Sequence, residues 1–330
     1  EIGKEKFAVG DFSHLPTRCK FMALAPQWDF LDFLLAEAER FANFRLMMQA
    51  EVTNLLAKGS RIAGVLVETP EETVQINAGL VIGADGRHST VRAKSNLHVR
   101  EIGAPFDVLW MRLPYREGDP KQPVARLDGG DFFIMLYRGD YWQCALVIPK
   151  GGFEPLKKAG FDAFRERLQG VAGFAADRVE SIGGFEDVKL LSVQVDRMRK
   201  WARPGLLCIG DAAHAMSPVG GVGVNLAIQD AVATANLLGP VLAKRAPRLS
   251  DLKRIQERRQ WPTEVAQWLQ IQAQKRIVAP ALKAQRTPRP PLALRLLNAV
   301  PSLRRIPARI VGLGVRPEHI AQSLLPATRA

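Results

Sequence analysis

Residues 205–238 read GLLCIGDAAHAMSPVGGVGVNLAIQDAVATANLL, and their pattern decides the fold. Residues 205–209 form a short apolar run suited to a buried strand, and Gly210-Asp211 ends it abruptly. From Gly223 onward Val224, Ala227, Ile228, Ala231, Ala235 and Leu238 recur at helical intervals, and the alanines among them permit close packing against a sheet. Pro218, Gly220, Gly221 and Gly223 lie in the loop between strand and helix. Glycines there let a ligand approach the backbone, and the unpaired N–H groups of the following helix start attract negative charge. Asp211, an acid closing the strand beside that helix start, is placed to bind a ribitol or ribose hydroxyl. The segment reads as half of a cofactor cradle. A plain strand–loop–helix connection would use the same glycines only for turning.

A second strand end of the same kind lies upstream. The apolar run 80–83 stops at Ala84-Asp85-Gly86 and is followed by RHSTVR. Asp85 closes the strand, Gly86 lets the chain turn, and Ser89 to Arg92 begin a helix, so a carboxylate and several donors converge at the carboxyl edge of a sheet. Either turn alone is a common structural device; two of them in one chain point to a shared ligand.

GDAAHAMSPVGGVGVN resembles the second flavin-contacting motif of the class A FAD-dependent monooxygenases, the para-hydroxybenzoate hydroxylase and ubiquinone-biosynthesis hydroxylase type. D-G-x-H-S-x-V-R resembles their DG fingerprint, matched at Gly83, Asp85, Gly86, His88, Ser89 and Arg92. The resemblance implies an α/β fold: a Rossmann-like FAD-binding domain, an inserted mainly antiparallel β-sheet substrate domain and a helical C-terminal region. It implies FAD as cofactor and NADH or NADPH as reductant. Asp211 would contact the ribityl and pyrophosphate part of FAD, with Pro218, Gly220, Gly221, Gly223, Val224 and Asn225 along the isoalloxazine ring. Asp85, Gly86, Ser89 and Arg92 would serve the pyrophosphate and the nicotinamide cofactor, and Val52 would pass the adenine through its main chain. Gln27 matches a position that reaches the FAD phosphates or ribose, and fits equally well as a simple first-turn polar residue. The implied reaction is hydride transfer to FAD, then oxygen transfer through a flavin C4a-hydroperoxide to an aromatic or similar electron-rich small molecule. A flavin reductase or dehydrogenase acting on a quinone or isoprenoid at a membrane is the enzymatic alternative. A truncated, non-catalytic binding domain is the other, because no strand followed by Gly-x-Gly-x-x-Gly occurs and the resemblance begins inside the family's first domain.

The 330 residues are 47% hydrophobic and 24% charged, as in ordinary globular proteins, and suffice for one or two domains. Cys19, Cys144 and Cys208 are far apart, with no metal or disulfide spacing, so no metal site is expected and a cytoplasmic setting fits. The net charge of +13 comes from residues 241–330, which hold 18 Lys and Arg against 4 Asp and Glu. No nucleic-acid motif accompanies that excess, and none is expected to be bound. Residues 292–313 are apolar on one side and basic on the other; intramolecular packing is favoured, with peripheral membrane contact as the alternative. A homodimer is equally compatible.

The expected division is 1–99 and 201–245 for the FAD-binding domain, 100–200 for the sheet domain and 246–330 for the helical region. A helix opens at Pro26, and FRLMM, EVTNLLAKGSRIAGVLVE and EETVQINAGLVIGADG read as extended. LKKAGFDAFRERLQGV reads as one amphipathic helix. Arg112, Met135, Tyr137 and Gln143 on the sheet are candidates to face a substrate cavity, although core packing is the commoner role for Met and Tyr. Trp261, Trp268 and Ile271 share a helix face suited to a core or partner helix, while Pro262, Pro280 and the prolines at 288–291 are expected to cut the helical run. His214 suits a structural turn contact better than acid–base work.

Overall fold

The computed structural model describes residues 1–3, 5–284 and 290–324. The chain opens with α1 (Gln27–Ala38), preceded by Pro26 where a missing N–H costs least. The extended stretch EVTNLLAKGSRIAGVLVE is the hairpin of β1 (Glu51–Lys58) and β2 (Arg61–Glu68), followed by β3 (Thr73–Asn77), β4 (Val81–Gly83), α2 (Thr90–Lys94) and β5 (Val99–Glu101). Next come β6 (Phe106–Pro114), β7 (Val124–Asp128), β8 (Asp131–Tyr137) and β9 (Tyr141–Pro149), then α3 (Phe153–Ala159) and α4 (Phe161–Ala172). Four short strands, β10 (Lys189–Leu191), β11 (Asp196–Met198), β12 (Ala202–Arg203) and β13 (Leu206–Cys208), lead into α5 (Gly223–Leu242). The remainder is α6 (Leu249–Ala273), α7 (Ala279–Lys283), α8 (Leu292–Ala299) and α9 (Arg305–Leu313). No described helix is long and apolar enough to cross a membrane.

The elements fall into two compact units, one of residues 1–44, 104–193 and 271–312 and the other of 45–103, 194–270 and 313–330. In the first, β10-β6-β9-β8-β7 make an antiparallel sheet. Alternate residues of its long strands, among them Leu109, Met111, Leu113, Phe133, Trp142 and Leu146, form a core with Phe164 and Leu168 of α4. In the second, β1-β2-β3 form one antiparallel sheet, and β12-β13-β4 another in which β13 and β4 run parallel. Trp201, Leu206, Leu207 and Ile255 centre its core.

These units apportion the chain differently from the expected domains at two places. Residues 1–44 join the large-sheet unit because the chain start runs along β7, Ile2 bridging Leu127 and the Glu1 carbonyl accepting the Leu127 N–H. Residues 271–312 join it too, with α7 packed on β8 and β9, while 246–270 belong with the glycine-rich motif.

Several local expectations also shift. FRLMM forms no strand, and α1 buries none of its residues. The single helix expected over 156–171 is two, because Gly160 adopts a left-handed φ of 95°. Pro262 does not cut α6: it lies buried within it, with side-chain hydrogen bonds from Arg259, Gln267 and Gln270 anchoring the helix on both sides. Pro280 follows a π turn over Gln274–Val278 and sits in the first turn of α7. Pro288 lies outside the described residues, and Pro290-Pro291 precede α8.

The buried faces of α5 and α6 are not the ones expected from the sequence. Val224 and Ile228 of α5 are exposed, and the buried stripe is Leu226, Asp230, Ala233, Thr234 and Leu238. In α6, Trp261 and Trp268 are more than half exposed, whereas Arg259, Thr263, Gln267 and Gln270 are buried. In α6 the inward stripe is polar because Arg259, Gln267 and Gln270 meet hydrogen-bonding partners there, and α5 adds Asp230 to an otherwise largely apolar stripe for the same reason.

Gly205, which starts the motif strand, combines a φ of +79° with a backbone approach so close that a Cβ would stand 1.9 Å from the Ile62 carbonyl oxygen. Gly59 shares the conformation, at φ +60°, but faces open space. Gly59→Ala should therefore cost only the left-handed strain, about 1–2 kcal/mol. Gly205→Ala should add overpacking of about 1–3 kcal/mol, an ordering that urea denaturation of the two variants reads directly.

Candidate functional site

The two aspartate turns meet at one sheet edge. β13 and β4 pair in parallel with Cys208 beside Gly83, and the Ile209 N–H donates to the Gly83 carbonyl at 3.0 Å. Both strands thus end at the same level, and the turns carrying Asp85 and Asp211 follow within three residues. Arg87 Nη2 lies 3.5 Å from Asp211 Oδ2, joining one turn to the other. Close packing under the turns requires small residues: a Cβ at Gly83 would stand 2.7 Å from Val91 Cγ1 and 3.3 Å from Cys208 Sγ. Burial, with the charge of Asp85 adding to it, pushes the Cys208 thiol up to about 12, so that side chain serves as apolar filling rather than as a nucleophile.

The first turn is held by its own side chains. Asp85 accepts from Ser89 Oγ at 2.5 Å and from the Val91 N–H at 3.0 Å, and Ser89 Oγ accepts the Arg92 N–H at 2.8 Å as the N-cap of α2. Arg92 pairs with Asp196 at 2.9 Å and donates to the Arg87 carbonyl at 2.5 Å. Gly86 makes the bend with φ +82° and open space where a side chain would be. Asp85, Ser89 and Arg92 are therefore engaged inside the fold and fix the position of Arg87. Arg87 stands at the variable position of the fingerprint, where sequence reasoning assigned nothing, and its Nη1 is buried without a hydrogen-bond partner.

The second turn is held from behind. Asp230 on α5 has no exposure: its Oδ2 accepts the Gly210 N–H at 3.0 Å and lies 2.6 Å from His214 Nε2, and its Oδ1 accepts from Arg259 Nε at 3.0 Å. His214 is thus a buried structural contact, its ring against Trp201 at 4.9 Å. Burial alone would raise the Asp230 carboxyl; the charges and hydrogen bonds of His214, Arg259 and Gly210 outweigh it and hold the group below its usual range. Gln267 Nε2 donates to the Asp196 and Ala215 carbonyls, and Gln270 Nε2 to those of Ser217 and Val219, at 2.8–3.1 Å. Sequence reading missed these residues; a polar period of three and four over Arg259, Thr263, Gln267, Gln270 and Gln274 was the available signal.

Several loop amides are also engaged, that of Gly221 donating to the Pro218 carbonyl at 3.0 Å and that of Val219 to Ser217 Oγ at 3.3 Å, while among the described residues no bond is made by the N–H groups of Gly220 and of Gly223 at the start of α5. The Val222 N-cap makes no side-chain cap hydrogen bond, Gly220 and Gly221 turn with positive φ, and a Cβ at Gly223 would lie 4.0 Å from Asp211 Oδ1. Val224 and Asn225 are exposed on the first turn of α5, and Pro218 is partly exposed. The Asp211 carboxylate, 3.5 Å from Arg87 Nη2, an unmatched N–H of that guanidinium and an uncapped twenty-residue helix start therefore stand together. That donor set fits the hydroxyls and phosphates of a flavin dinucleotide.

Val52 lies on β1 opposite Val67, in the same unit. Gln27 opens α1 in the large-sheet unit and is exposed. The four sheet candidates separate by strand alternation. Arg112 and Gln143 are direct cross-strand partners on one face; Arg112 stacks over Tyr141 at 4.7 Å, and Gln143 Oε1 accepts from Arg138 Nε at 2.9 Å. Met135 and Tyr137 point to the other face, where Met135 is fully buried and Tyr137 packs against Tyr115 and Trp142. Their expected cavity-facing role is corrected to core packing: the two-residue period of β8 places both beside Phe133.

Asp230→Asn should destabilise the chain by about 3–5 kcal/mol at neutral pH, since it removes the nearer countercharge of buried Arg259 and leaves only Glu318, at 3.4 Å. The folded carboxyl lies below the unfolded value of 3.8, so its contribution is complete above that pH and is lost as pH falls through the folded value. Urea denaturation of parent and variant at pH 7 and pH 3 should show the gap narrowing in acid.

Comparison with known proteins agrees with the geometry. The family pattern described as "FAD binding domain" matches residues 3–268. The 6-methylpretetramide 4-monooxygenase of Streptomyces rimosus is 32% identical over 305 residues, covering 91% of this chain and 72% of that protein. Kynurenine 3-monooxygenase of Salinispora tropica is 28% identical over 217 residues, 60% of this chain and 46% of that one. Among solved structures, OxyS anhydrotetracycline hydroxylase from Streptomyces rimosus superimposes with a TM-score of 0.69 at 22% identity, covering 98% of this chain and 66% of its own. Two aspartate turns joined at one parallel strand pair, together with these matches, place the chain in the FAD-binding domain family of the class A flavin-dependent monooxygenases.

Proposed function

We propose that the protein hydroxylates an electron-rich aromatic small molecule, using FAD, NADH or NADPH and molecular oxygen. One observation carries this reading: Asp211, the unmatched Nη1 of Arg87 and the uncapped start of α5 stand together at the ends of β4 and β13. Bound FAD supplies hydride acceptance and oxygen activation. Asp211 accepts hydrogen bonds from ribityl hydroxyls, and Arg87 donates to a phosphate. The free amides of Gly220 and Gly223, with Val224 and Asn225, present the positive end of α5 to the ring, where negative charge on reduction is stabilised, and Gly221 lets the loop turn tightly beneath it. Pro218 shapes the loop's approach. Asp85, Gly86, Ser89 and Arg92 keep the first turn in place, and Val52 offers main-chain groups to the adenine. Arg112 and Gln143, side by side on one face of the large sheet, supply polar contacts to the substrate. The names of the relatives, enzymes acting on fused or single aromatic rings, support the substrate class.

A second feature belongs to this reading. Leu292, Leu296, Ile306 and Ile310 of α8 and α9 are exposed in a segment that also carries Arg295, Arg304, Arg305 and Arg309. Peripheral contact with an anionic membrane follows, and flotation with vesicles containing phosphatidylserine should retain the protein and lose it on Leu296→Glu with Ile306→Glu.

The purified chain should take up FAD saturably, and Asp211→Ala should weaken it roughly 10- to 100-fold, the loss of a charge-assisted hydrogen bond. With NADPH, air and a phenolic substrate, labelled oxygen from O2 should appear in the product. Reduction of a quinone acceptor without oxygen, and no label in any product, would instead establish a dehydrogenase.

A further inference from the structure

Apart from the cofactor turns, the unit of residues 45–103, 194–270 and 313–330 holds a cleft of about 350 Å3 lined by Arg100, Arg197, Met198, Arg199, Gln260 and Glu264. None of these residues belongs to either aspartate turn. The cleft lies where β5 and β11 pair antiparallel, with Arg197 directly opposite Arg100. Residues so placed share a face with Cβ atoms about 4.5–5.5 Å apart, and like charges there repel. The ladder continues one residue beyond β11: the Arg199 N–H donates to the His98 carbonyl at 3.0 Å. Strand alternation then puts Arg199 on the same face as Arg197. Three guanidinium groups converge, and none can relieve the repulsion by losing a proton.

Compensation within the fold reaches only one of them. Glu264 Oε1 lies 3.2 Å from Arg197 Nη2 and also accepts from Gln260 Nε2 at 2.9 Å, while Gln267 Oε1 accepts from Arg197 Nη1 at 3.3 Å. Arg197 is thereby fixed against α6. Arg100 and Arg199 are exposed, and among the described residues neither side chain has an ion pair or hydrogen bond. A surface designed only for solubility would not oppose two arginines across a strand pair and add a third. A cleft of this volume suits a small organic ligand or nucleotide, and paired guanidinium forks match phosphate oxygens in geometry and charge.

We infer that this cleft is a binding site for a phosphate-bearing ligand, with Arg100 and Arg199 as its contacts and Arg197 held behind them by Glu264 and Gln267. A monocarboxylate would leave part of the charge unmatched; a diphosphate or a phosphate monoester neutralises it. Both free phosphate and a nucleotide carry that chemistry.

Isothermal titration calorimetry of the full chain tests the assignment, with FAD saturating in cell and syringe so that the cofactor turns contribute no heat. Inorganic pyrophosphate and ADP are the probes, at low and constant ionic strength. One saturable site is expected, weakened about tenfold or more by Arg100→Gln and by Arg199→Gln, and tightened by Glu264→Gln, which removes the competing carboxylate. Tighter binding of ADP than of pyrophosphate identifies a nucleotide as the natural occupant; the reverse identifies free phosphate. Because Arg100→Gln relieves a cross-strand repulsion, its melting temperature without probe should stay at or above the parent's, which separates lost binding from lost fold. No saturable heat with either probe overturns the inference. So does an affinity that both arginine variants leave unchanged, or one that Asp211→Ala abolishes while they do not.

Discussion

A carboxylate with no access to solvent, Asp230, fixes the chemistry-bearing part of this protein. It takes the Gly210 N–H, Arg259 Nε and the ring of His214 at once, so that the end of β13, the body of α5 and the middle of α6 are tied at one point. An isolated buried charge is among the most costly groups a fold can contain. Here a guanidinium with no exposure of its own offsets it, and Arg259 is further bonded to Gln229 and to the Arg316 carbonyl. The turn carrying Asp211 is rigid because removing any one partner leaves the others buried and unmatched.

The inverted amphipathicity of α6 follows from the same requirement. The loop between β13 and α5 has fourteen residues, of which 212–217 are all buried. Its carbonyls need donors. Gln267 and Gln270 provide them, each amide bridging two carbonyls, and the helix accordingly turns its polar stripe inward and leaves Trp261 and Trp268 outside. The functional consequence lies on the opposite side of the loop. The N–H groups of Gly220 and Gly223 are left unbonded in front, and free donors beside a helix start are suited to an anionic, electron-rich cofactor.

Much of this was legible in the residues. Strand runs ending in Asp-Gly or Gly-Asp, followed by helical periodicity, located β4, β13, α2 and α5, because backbone geometry at a strand end is dictated locally by glycine and by the cap at Ser89. What was not legible depends on partners distant in the chain. Asp230 reads as a solvent-facing charge until Arg259, twenty-nine residues on, is seen beside it. Arg87 occupies a position that the fingerprint leaves open, and only the pairing of β4 with β13 brings it to Asp211. Met135 and Tyr137 were misplaced because a half-apolar strand offers two faces and the sequence alone does not say which one α4 covers. Pro262 misled for a related reason: propensity argues locally, and tertiary hydrogen bonds on either side override it.

The central claim is that two turns, distant in sequence, act on one dinucleotide. Hydrogen–deuterium exchange of the chain with and without FAD tests it most directly. The account predicts that amides in 85–92 and in 210–225 gain protection together, at the same FAD concentration. Protection confined to one of the two segments, or appearing elsewhere while both remain unchanged, would contradict it.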